Sequence, residues 1–230
     1  MPRLVRSLAG SILAVLLAGA ALAQVAPSPA EEAAYTGLHA AAVAGDAAKL
    51  LTLLNTQGIE IEARDSAGRT SLHVAAFYSH DAVVAALAAT GADMNALEND
   101  FYDIVTIAAV ADDAPLVRLA LALGTSAGNV TSRYEGTALI AAAHLGHVEV
   151  VAALIEAAAP LDHVNNLGWT ALMEAVVLGD GGPRYVETVR ILIEAGADIS
   201  IADNQGVTPL AHAKQRSFGA IVALFPKVAN

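Results

Sequence analysis

The 230-residue sequence contains no cysteine, and aromatic residues make up only 4% of it. Without thiols the chain can form no disulfide bond, no thiolate metal site and no acylated lipoprotein cysteine. With so few large rings, most of the core has to be built from small and medium aliphatic side chains. We therefore expect the fold to be stabilised by packing alone.

Basic residues are also scarce. The chain has 12 Lys and Arg residues against 23 Asp and Glu residues, which gives a formal net charge of −11. This excess of negative charge disfavours nucleic acid and anionic membrane surfaces as partners. A protein partner with a cationic or neutral surface fits the composition better.

Long hydrophobic runs are missing except at the N-terminus. Arg3 and Arg6 precede an apolar run over residues 8–22, which ends in the small-residue pattern Ala-Leu-Ala. This arrangement predicts a signal peptide over residues 1–23 with cleavage after Ala23. The alternative is an uncleaved membrane anchor, but about 20 apolar residues are needed to span a bilayer and this run is shorter.

The signal peptide would direct export of the chain to the periplasm or outside the cell. Cleavage would remove two basic residues and leave a net charge of −13. Residues 24–28 are then expected to form a short linker. No later hydrophobic run has the length of a membrane span, so we expect no membrane contact after cleavage.

A four-residue pattern, seen in full as Thr70-Ser71-Leu72-His73, recurs along the rest of the chain. The six copies begin at Thr36, Thr70, Asp103, Thr137, Thr170 and Thr208, at spacings of 34, 33, 34, 33 and 38 residues. Between copies, apolar residues at helical spacing predict two short amphipathic helices. Such a pair can bury its apolar faces only against a neighbouring unit.

The pattern resembles the Thr-Pro-Leu-His helix start of the ankyrin-repeat family, whose repeat is about 33 residues long. The resemblance implies an all-α repeat solenoid of six helix-turn-helix units linked by β-hairpin-like fingers, in which His39 and His73 are structural. The chain is also similar to the small ankyrin-repeat proteins that bacteria export, and we expect a monomeric interaction scaffold without a cofactor. The expected repeats cover residues 29–63, 64–96, 97–130, 131–163, 164–201 and 202–230.

Departures from the repeat are the positions where function is expected, because the shared residues already satisfy the stacking. The spacing of 38 reflects five inserted residues, 180–184, which predict a glycine-rich loop before a helix that begins near Tyr185. One extra residue falls in the connector around Arg133 and Tyr134, and the next connector holds the single tryptophan, Trp169. Exposed Arg, Tyr and Trp residues are typical of interface hot spots. The alternatives are an ordinary surface loop and rings that pack between fingers.

A third departure lies on the inner helices. The residue after the motif is apolar or small in the first four units, but it is Glu174 in the fifth and His212 in the sixth, with His144 nearby. We expect these three side chains to border the concave face together. A small-ligand-binding or enzymatic protein that uses Glu174, His212 and the 180–184 loop is therefore the alternative function. A zinc site is not expected, because its ligands lie within about 2.3 Å of the metal and these residues lie in separate layers.

The leading hypothesis is a non-catalytic scaffold that binds a protein through the concave face and fingers of repeats 4–6. No residue is expected to be catalytic or to bind a cofactor or a metal. The residues predicted to contact the partner are Arg133, Tyr134, His144, His163, Asn166, Trp169, Glu174, Asp180, Arg184, Tyr185 and His212.

Overall fold

The computed structural model describes residues 24–226, so the predicted signal peptide and its cleavage site lie outside the described residues. Within this range the regular elements are thirteen α-helices. They are α1 (Pro29–Ala34), α2 (Gly37–Val43), α3 (Ala47–Leu54), α4 (Ser71–Phe77), α5 (Asp81–Ala89), α6 (Ile104–Val110), α7 (Ala114–Ala122), α8 (Ala138–Leu145), α9 (Val148–Glu156), α10 (Ala171–Val177), α11 (Pro183–Glu194), α12 (Pro209–Gln215) and α13 (Gly219–Val222). None of these helices is long and apolar enough to cross a membrane.

The inner helices begin where the repeated motif begins. The hydroxyl groups of Thr137, Thr170 and Thr208 accept hydrogen bonds from the amides three residues later and so cap α8, α10 and α12. Asp103 replaces threonine in the third unit, and its carboxylate accepts from the Thr106 amide at 2.8 Å. Burial raises the pKa of Asp103, which is 1% exposed. The first residue of the motif therefore sets the start of each of these helices.

The helices form two layers. The inner layer is α2, α4, α6, α8, α10 and α12, and each helix packs on the next, while the outer helices α3, α5, α7, α9, α11 and α13 form a second row. Pairs of small residues on the inner helices are completely buried, including Ala108 and Ala109 on α6 and Ala142 and Ala143 on α8. Small side chains let neighbouring helix axes approach closely. The six-unit helical stack predicted from the sequence is confirmed.

The connectors before the inner helices are fingers, which we number by the repeat that they begin: finger 2 (65–69), finger 3 (98–102), finger 4 (131–136), finger 5 (165–169) and finger 6 (203–207). These fingers are hairpin-like turns, as expected, although residues 24–226 contain no β-strand and only one isolated bridge, between Thr131 and Gly136. In each finger the amide of the first residue donates to the carbonyl of the last, and in fingers 2, 3, 5 and 6 the side chain of the first residue also accepts from amides of the finger. In finger 6, for example, the Asp203 Oδ1 atom accepts from the Gln205 and Val207 amides at 2.9 Å each.

The segment before α1 contacts the second repeat. Ser28 and Glu31 form a capping box at the start of α1. Arg69, which is 1% exposed, donates to the Val25 carbonyl at 3.0 Å and pairs with Glu31 at 2.5 Å and Asp65 at 2.6 Å. The residues expected to form a short linker, 24–28, are thus joined to finger 2 by a buried guanidinium group.

The insertion in the fifth repeat differs from its prediction. The sequence placed a loop over residues 180–184 and a helix start near Tyr185, but α11 begins at Pro183. Proline is favoured in the first turn of a helix because its fixed φ suits the helix and its missing N–H group is not needed there. Part of the insertion therefore lengthens the helix to 12 residues, and Arg184 lies on α11 and not in the loop.

Candidate partner-binding surface

Glu174 is a buried carboxylate on α10, 4% exposed. One of its oxygens accepts from the His144 Nδ1 atom of the fourth repeat at 2.9 Å, and the other accepts from the Asn165 side chain of finger 5 at 3.0 Å. The Asn165 Oδ1 atom accepts from the amides of Leu167 and Trp169, so its amide nitrogen has to face Glu174. The network therefore fixes the orientation of the carboxylate.

His212 forms a separate pair within the sixth repeat. Its Nε2 atom donates to the Asp203 Oδ2 atom at 2.7 Å. Although burial raises the pKa of Asp203, hydrogen bonds from the Val207 amide and the His212 ring outweigh this effect and lower it. Glu174 and His144 therefore form one hydrogen-bonded pair, and His212 belongs to another.

The two pairs follow the same rule. Asn165 precedes Glu174 by nine residues, and Asp203 precedes His212 by nine residues. In both repeats the first residue of the finger bonds to the helix residue that follows the motif. The finger residue donates in the fifth repeat and accepts in the sixth. This nine-residue spacing is visible in the sequence and could have identified both pairs.

A cavity of about 30 Å³ lies beside Glu174 at the junction of repeats 3, 4 and 5. Its walls include two aromatic rings, Tyr102 and Tyr134, the His144 ring and the aliphatic side chains of Ile140 and Leu167. None of the residues that line it is a lysine or an arginine. The cavity brings together several predicted partner-binding residues around one buried acidic group.

Backbone and side-chain hydrogen bonds join fingers 3, 4 and 5. The Arg133 guanidinium group pairs with Asp100 of finger 3 at 2.5 Å, and its side chain remains 71% exposed. Asn166 donates from its side chain to the Arg133 carbonyl at 3.0 Å and from its backbone to the Tyr134 carbonyl at 2.9 Å. Asn166 thus supports the neighbouring finger, whereas the Arg133 side chain points a charged group to solvent.

His163 contacts finger 4, and Trp169 contributes to the closure of its own finger. A ring nitrogen of His163 donates to the Glu135 carbonyl of finger 4 at 2.6 Å. Trp169 is half-buried, and its backbone amide contributes to the closure of finger 5. Both residues therefore have structural contacts, and each leaves part of its side chain accessible.

Phe101 is an aromatic residue outside the set of partner-binding residues predicted from the sequence. It is 52% exposed at the tip of finger 3 and has a φ of +66°, in the left-handed region. Gly68 and Gly168 occupy the same position in fingers 2 and 5, also with positive φ. A bulky residue at positive φ is a rare and strained feature. The signal in the sequence was a Phe in place of the finger glycine.

The inserted segment and the start of α11 hold the end of α8. Arg184 donates to the carbonyls of residues 145 and 146, at 2.6 and 3.2 Å, and the Tyr185 hydroxyl donates to the His144 carbonyl at 3.0 Å. The Asp180 carboxylate accepts from an amide of its own loop, that of Gly182, at 2.7 Å. The contacts of Arg184 and Tyr185 therefore stabilise the junction of repeats 4 and 5, away from His212.

Metal ligands do not converge in the part of the chain that the structure describes: no group of three or more His, Asp or Glu side chains there could hold a metal ion. The surface carries groups suited to binding: an exposed aromatic ring, an exposed guanidinium group and a buried carboxylate beside a small cavity.

A stack of paired helices joined by fingers defines a repeat solenoid, in which each unit contacts only its neighbours and a long surface stays open for recognition. The chain belongs to the ankyrin-repeat family: a family model described as ankyrin repeats (3 copies) matches residues 8–98 and 105–203. Ankyrin repeats generally mediate protein–protein interactions, and the proteins that contain them are typically non-catalytic scaffolds.

Three relatives extend this similarity over the stack. The chain is 35% identical over 185 residues to the putative ankyrin repeat protein YahD of Escherichia coli (strain K12), covering 80% of this chain and 91% of YahD. It is 41% identical to a crystal structure of an ankyrin repeat domain from Acinetobacter baumannii AYE, with a TM-score of 0.77 and coverage of 81% and 94%. The ankyrin repeat protein EF0377 matches at 31% identity, with a TM-score of 0.76 and coverage of 83% and 97%.

Proposed function

We propose that this protein is a non-catalytic scaffold, exported to the periplasm or outside the cell, that binds another protein through its concave face and fingers. The sequence placed the binding surface on repeats 4–6. The contacts favour a surface centred on repeats 3–5, because His212 and Arg184 form hydrogen bonds within the stack, whereas fingers 3 and 4 present Phe101 and Arg133 to solvent.

The observation that carries this proposal is the conformation of Phe101. A left-handed backbone costs a non-glycine residue about 1–2 kcal/mol, and the half-exposed ring recovers little of that by packing. Strained and exposed residues of this kind cluster at functional sites. An exposed ring and an exposed guanidinium group on adjacent fingers also have the composition of an interface hot spot.

Charge indicates the kind of partner. The chain carries a formal net charge of −11, or −13 if residues 1–23 are removed. Long-range attraction therefore favours a partner with a cationic surface and raises its rate of association at low ionic strength.

The alternative, a ligand-binding or enzymatic site that combines Glu174, His212 and the 180–184 loop, is not favoured. The three groups have separate partners: Glu174 bonds to His144 and Asn165, His212 bonds to Asp203, and Asp180 bonds within its loop. Nothing in these contacts directs them at one reacting group.

The test is capture of the partner by the tagged full-length chain, expressed with its own N-terminus, after crosslinking in the cells that produce it. We expect one recurrent protein whose recovery falls at least fivefold for Phe101→Gly. The matched control is Leu51→Ala, an exposed apolar residue on outer helix α3, 41% exposed. Equal recovery by wild type and Phe101→Gly would remove the finger surface from the proposal.

Export is tested separately by the mass of the protein recovered from each cell fraction. We expect a chain that begins at Gln24 in the periplasm or the medium. Recovery of the intact 230-residue chain from the cytoplasm would contradict export and leave the binding experiment valid.

A further inference from the structure

The cavity beside Glu174 has an unusual electrostatic composition. The carboxylate is 4% exposed, and among residues 24–226 its ionic partner is only a histidine, with no lysine or arginine. Its other hydrogen bond comes from the neutral Asn165 amide. Burial of a carboxylate without a full positive charge is unfavourable unless a cation is supplied. The fold thus keeps an acidic group at a cavity that has room for a positive charge.

The surrounding groups suit a cation with an aliphatic stem. Because the His144 Nδ1 atom faces Glu174, the ring directs its Nε2 atom elsewhere, and that atom has no hydrogen-bond partner among the described residues. In a neutral ring that donates from Nδ1, Nε2 is an acceptor. Tyr102 and Tyr134 line the cavity, and aromatic rings attract a cation that lies over their faces, while Ile140 and Leu167 offer apolar contacts to methylene groups.

We propose that this pocket receives the side chain of a lysine on the protein partner, with the ammonium group beside Glu174 and the stem against the aliphatic wall. The cavity of about 30 Å³ has room for only a small group of atoms, which favours a compact ammonium group over a wider, planar guanidinium group. The inference rests on the proposed function, because it names the chemistry by which the scaffold recognises its cationic partner.

The test is a titration of the folded protein with N-acetyl-lysine amide, followed by NMR of the Asn165 side-chain amide and the His144 ring. We expect saturable shifts with the lysine probe, binding at least fivefold weaker with N-acetyl-arginine amide, and no saturable shift with N-acetyl-norleucine amide. Equal response to the norleucine probe would overturn the role of charge, and equal or tighter binding of the arginine probe would overturn the selection for ammonium.

Two variants separate the pocket from the fold. Glu174→Gln removes the charge and should weaken the lysine probe at least tenfold, whereas Glu149→Gln, an exposed acid on α9, should bind as wild type does. Tyr134→Leu keeps an apolar side chain at the half-buried finger position without a π face and should weaken binding severalfold, which tests the pocket even if Glu174→Gln fails to fold. Wild-type affinity in both Glu174→Gln and Tyr134→Leu would overturn the proposal.

Failure of this inference differs from failure of the proposed function. If the lysine probe does not bind but Phe101→Gly still loses the captured protein, the scaffold function stands and the pocket assignment falls. If the probe binds but crosslinking traps no recurrent protein, the pocket stands and the scaffold function falls.

Discussion

At the scale of single residues, the strained Phe101 is accommodated by its neighbour in the next finger. A side chain in place of Gly68 would lie within 2.3 Å of Asn99, and one in place of Gly168 within 2.6 Å of Asn204. At Phe101 the next finger has the smaller Ser132, whose amide donates to the Phe101 carbonyl at 3.0 Å. A smaller neighbour, together with the extra residue of finger 4, makes room for a large exposed ring.

Replacement of Phe101 by glycine should raise the free energy of unfolding by up to about 1 kcal/mol. The relief of left-handed strain, about 1–2 kcal/mol, exceeds the extra flexibility of glycine in the unfolded chain, about 0.5–1 kcal/mol. Ala158→Gly is a matched control, because Ala158 is also exposed with a positive φ, +57°, but lies just after α9 and outside the fingers. Urea denaturation measures the free energy of unfolding of both variants. A loss of more than 1 kcal/mol for Phe101→Gly alone would show that the ring packs on the fold.

His73 gives the fold a pH dependence. The ring is fully buried, its Nδ1 atom accepts from the Thr70 amide and its Nε2 atom donates to the Ala96 carbonyl at 3.0 Å. Desolvation lowers the pKa of His73 to about 4 from an ordinary value of 6.5. The unfolded chain therefore binds the proton more readily than the folded protein between these two values.

The free energy of unfolding should therefore decrease as the pH is lowered through this window. Stabilisation by neutral His73 is fully present above pH 6.5 and is lost as the pH falls to about 4. Linkage gives a loss of about 2 kcal/mol between pH 7 and pH 5 that is specific to this residue. Urea denaturation at both pH values should show a smaller pH effect in His73→Gln by that amount. An unchanged pH effect in the variant would mean that another group is responsible.

At the scale of helices, the C-terminal ends of the inner helices are held by side chains from the following repeat. His80 bonds to the Val43 carbonyl and His147 to the Ala109 carbonyl, each from the turn between the two helices of its own repeat. In the fifth repeat Arg184 takes this role, and in the sixth Arg216 bonds to the Val177 carbonyl. The insertion therefore replaces one capping group by another, which is favourable because a cation complements the helix dipole.

Arg184→Ala should lower the free energy of unfolding by about 1 kcal/mol, because two carbonyls at the end of α8 lose a charged donor. Arg118→Ala is the matched control: Arg118 also lies on an outer helix, but its ion pair with Glu156 is exposed on both sides, and such pairs contribute little. Thermal unfolding of both variants measures the two losses of stability, and we expect the larger loss for Arg184→Ala. Equal effects would indicate that Arg184 contributes only a surface charge.

The positions of the helices could be predicted from the sequence more accurately than the side-chain pairs. The spacing of the motif located the inner helices because Thr and Asp at its first position cap them, as Thr137 and Asp103 do. Pro183 carried the signal for the start of α11, but the expectation of a five-residue loop obscured it. The separate pairing of Glu174 and His212 was missed because stacking distance alone does not say which finger residue each side chain meets.

At the scale of the whole molecule, burial is uneven along the stack. Six or seven residues are buried on each of α6, α8 and α10, whereas α2 buries three, α12 two and α13 one, Ile221. In a solenoid each repeat interacts only with its neighbours, so an end repeat lacks one interface. The central repeats, which carry the candidate surface, are therefore expected to be the last to open.

Amide hydrogen exchange should follow this gradient, with the fastest exchange in α12 and α13 and the slowest in α6, α8 and α10. Removal of a buried side chain at the C-terminal end, Ile221→Ala, costs roughly 2–4 kcal/mol. Because the end repeat can open alone, we expect exchange to accelerate at least tenfold in α12 and α13 and to stay unchanged in α4–α8. Leu139→Ala, at a fully buried position of α8, should instead accelerate exchange on both sides of the centre. Uniform acceleration by Ile221→Ala would mean that the stack unfolds as a single cooperative unit, so the fingers of repeats 3–5 would derive no extra rigidity from their central position.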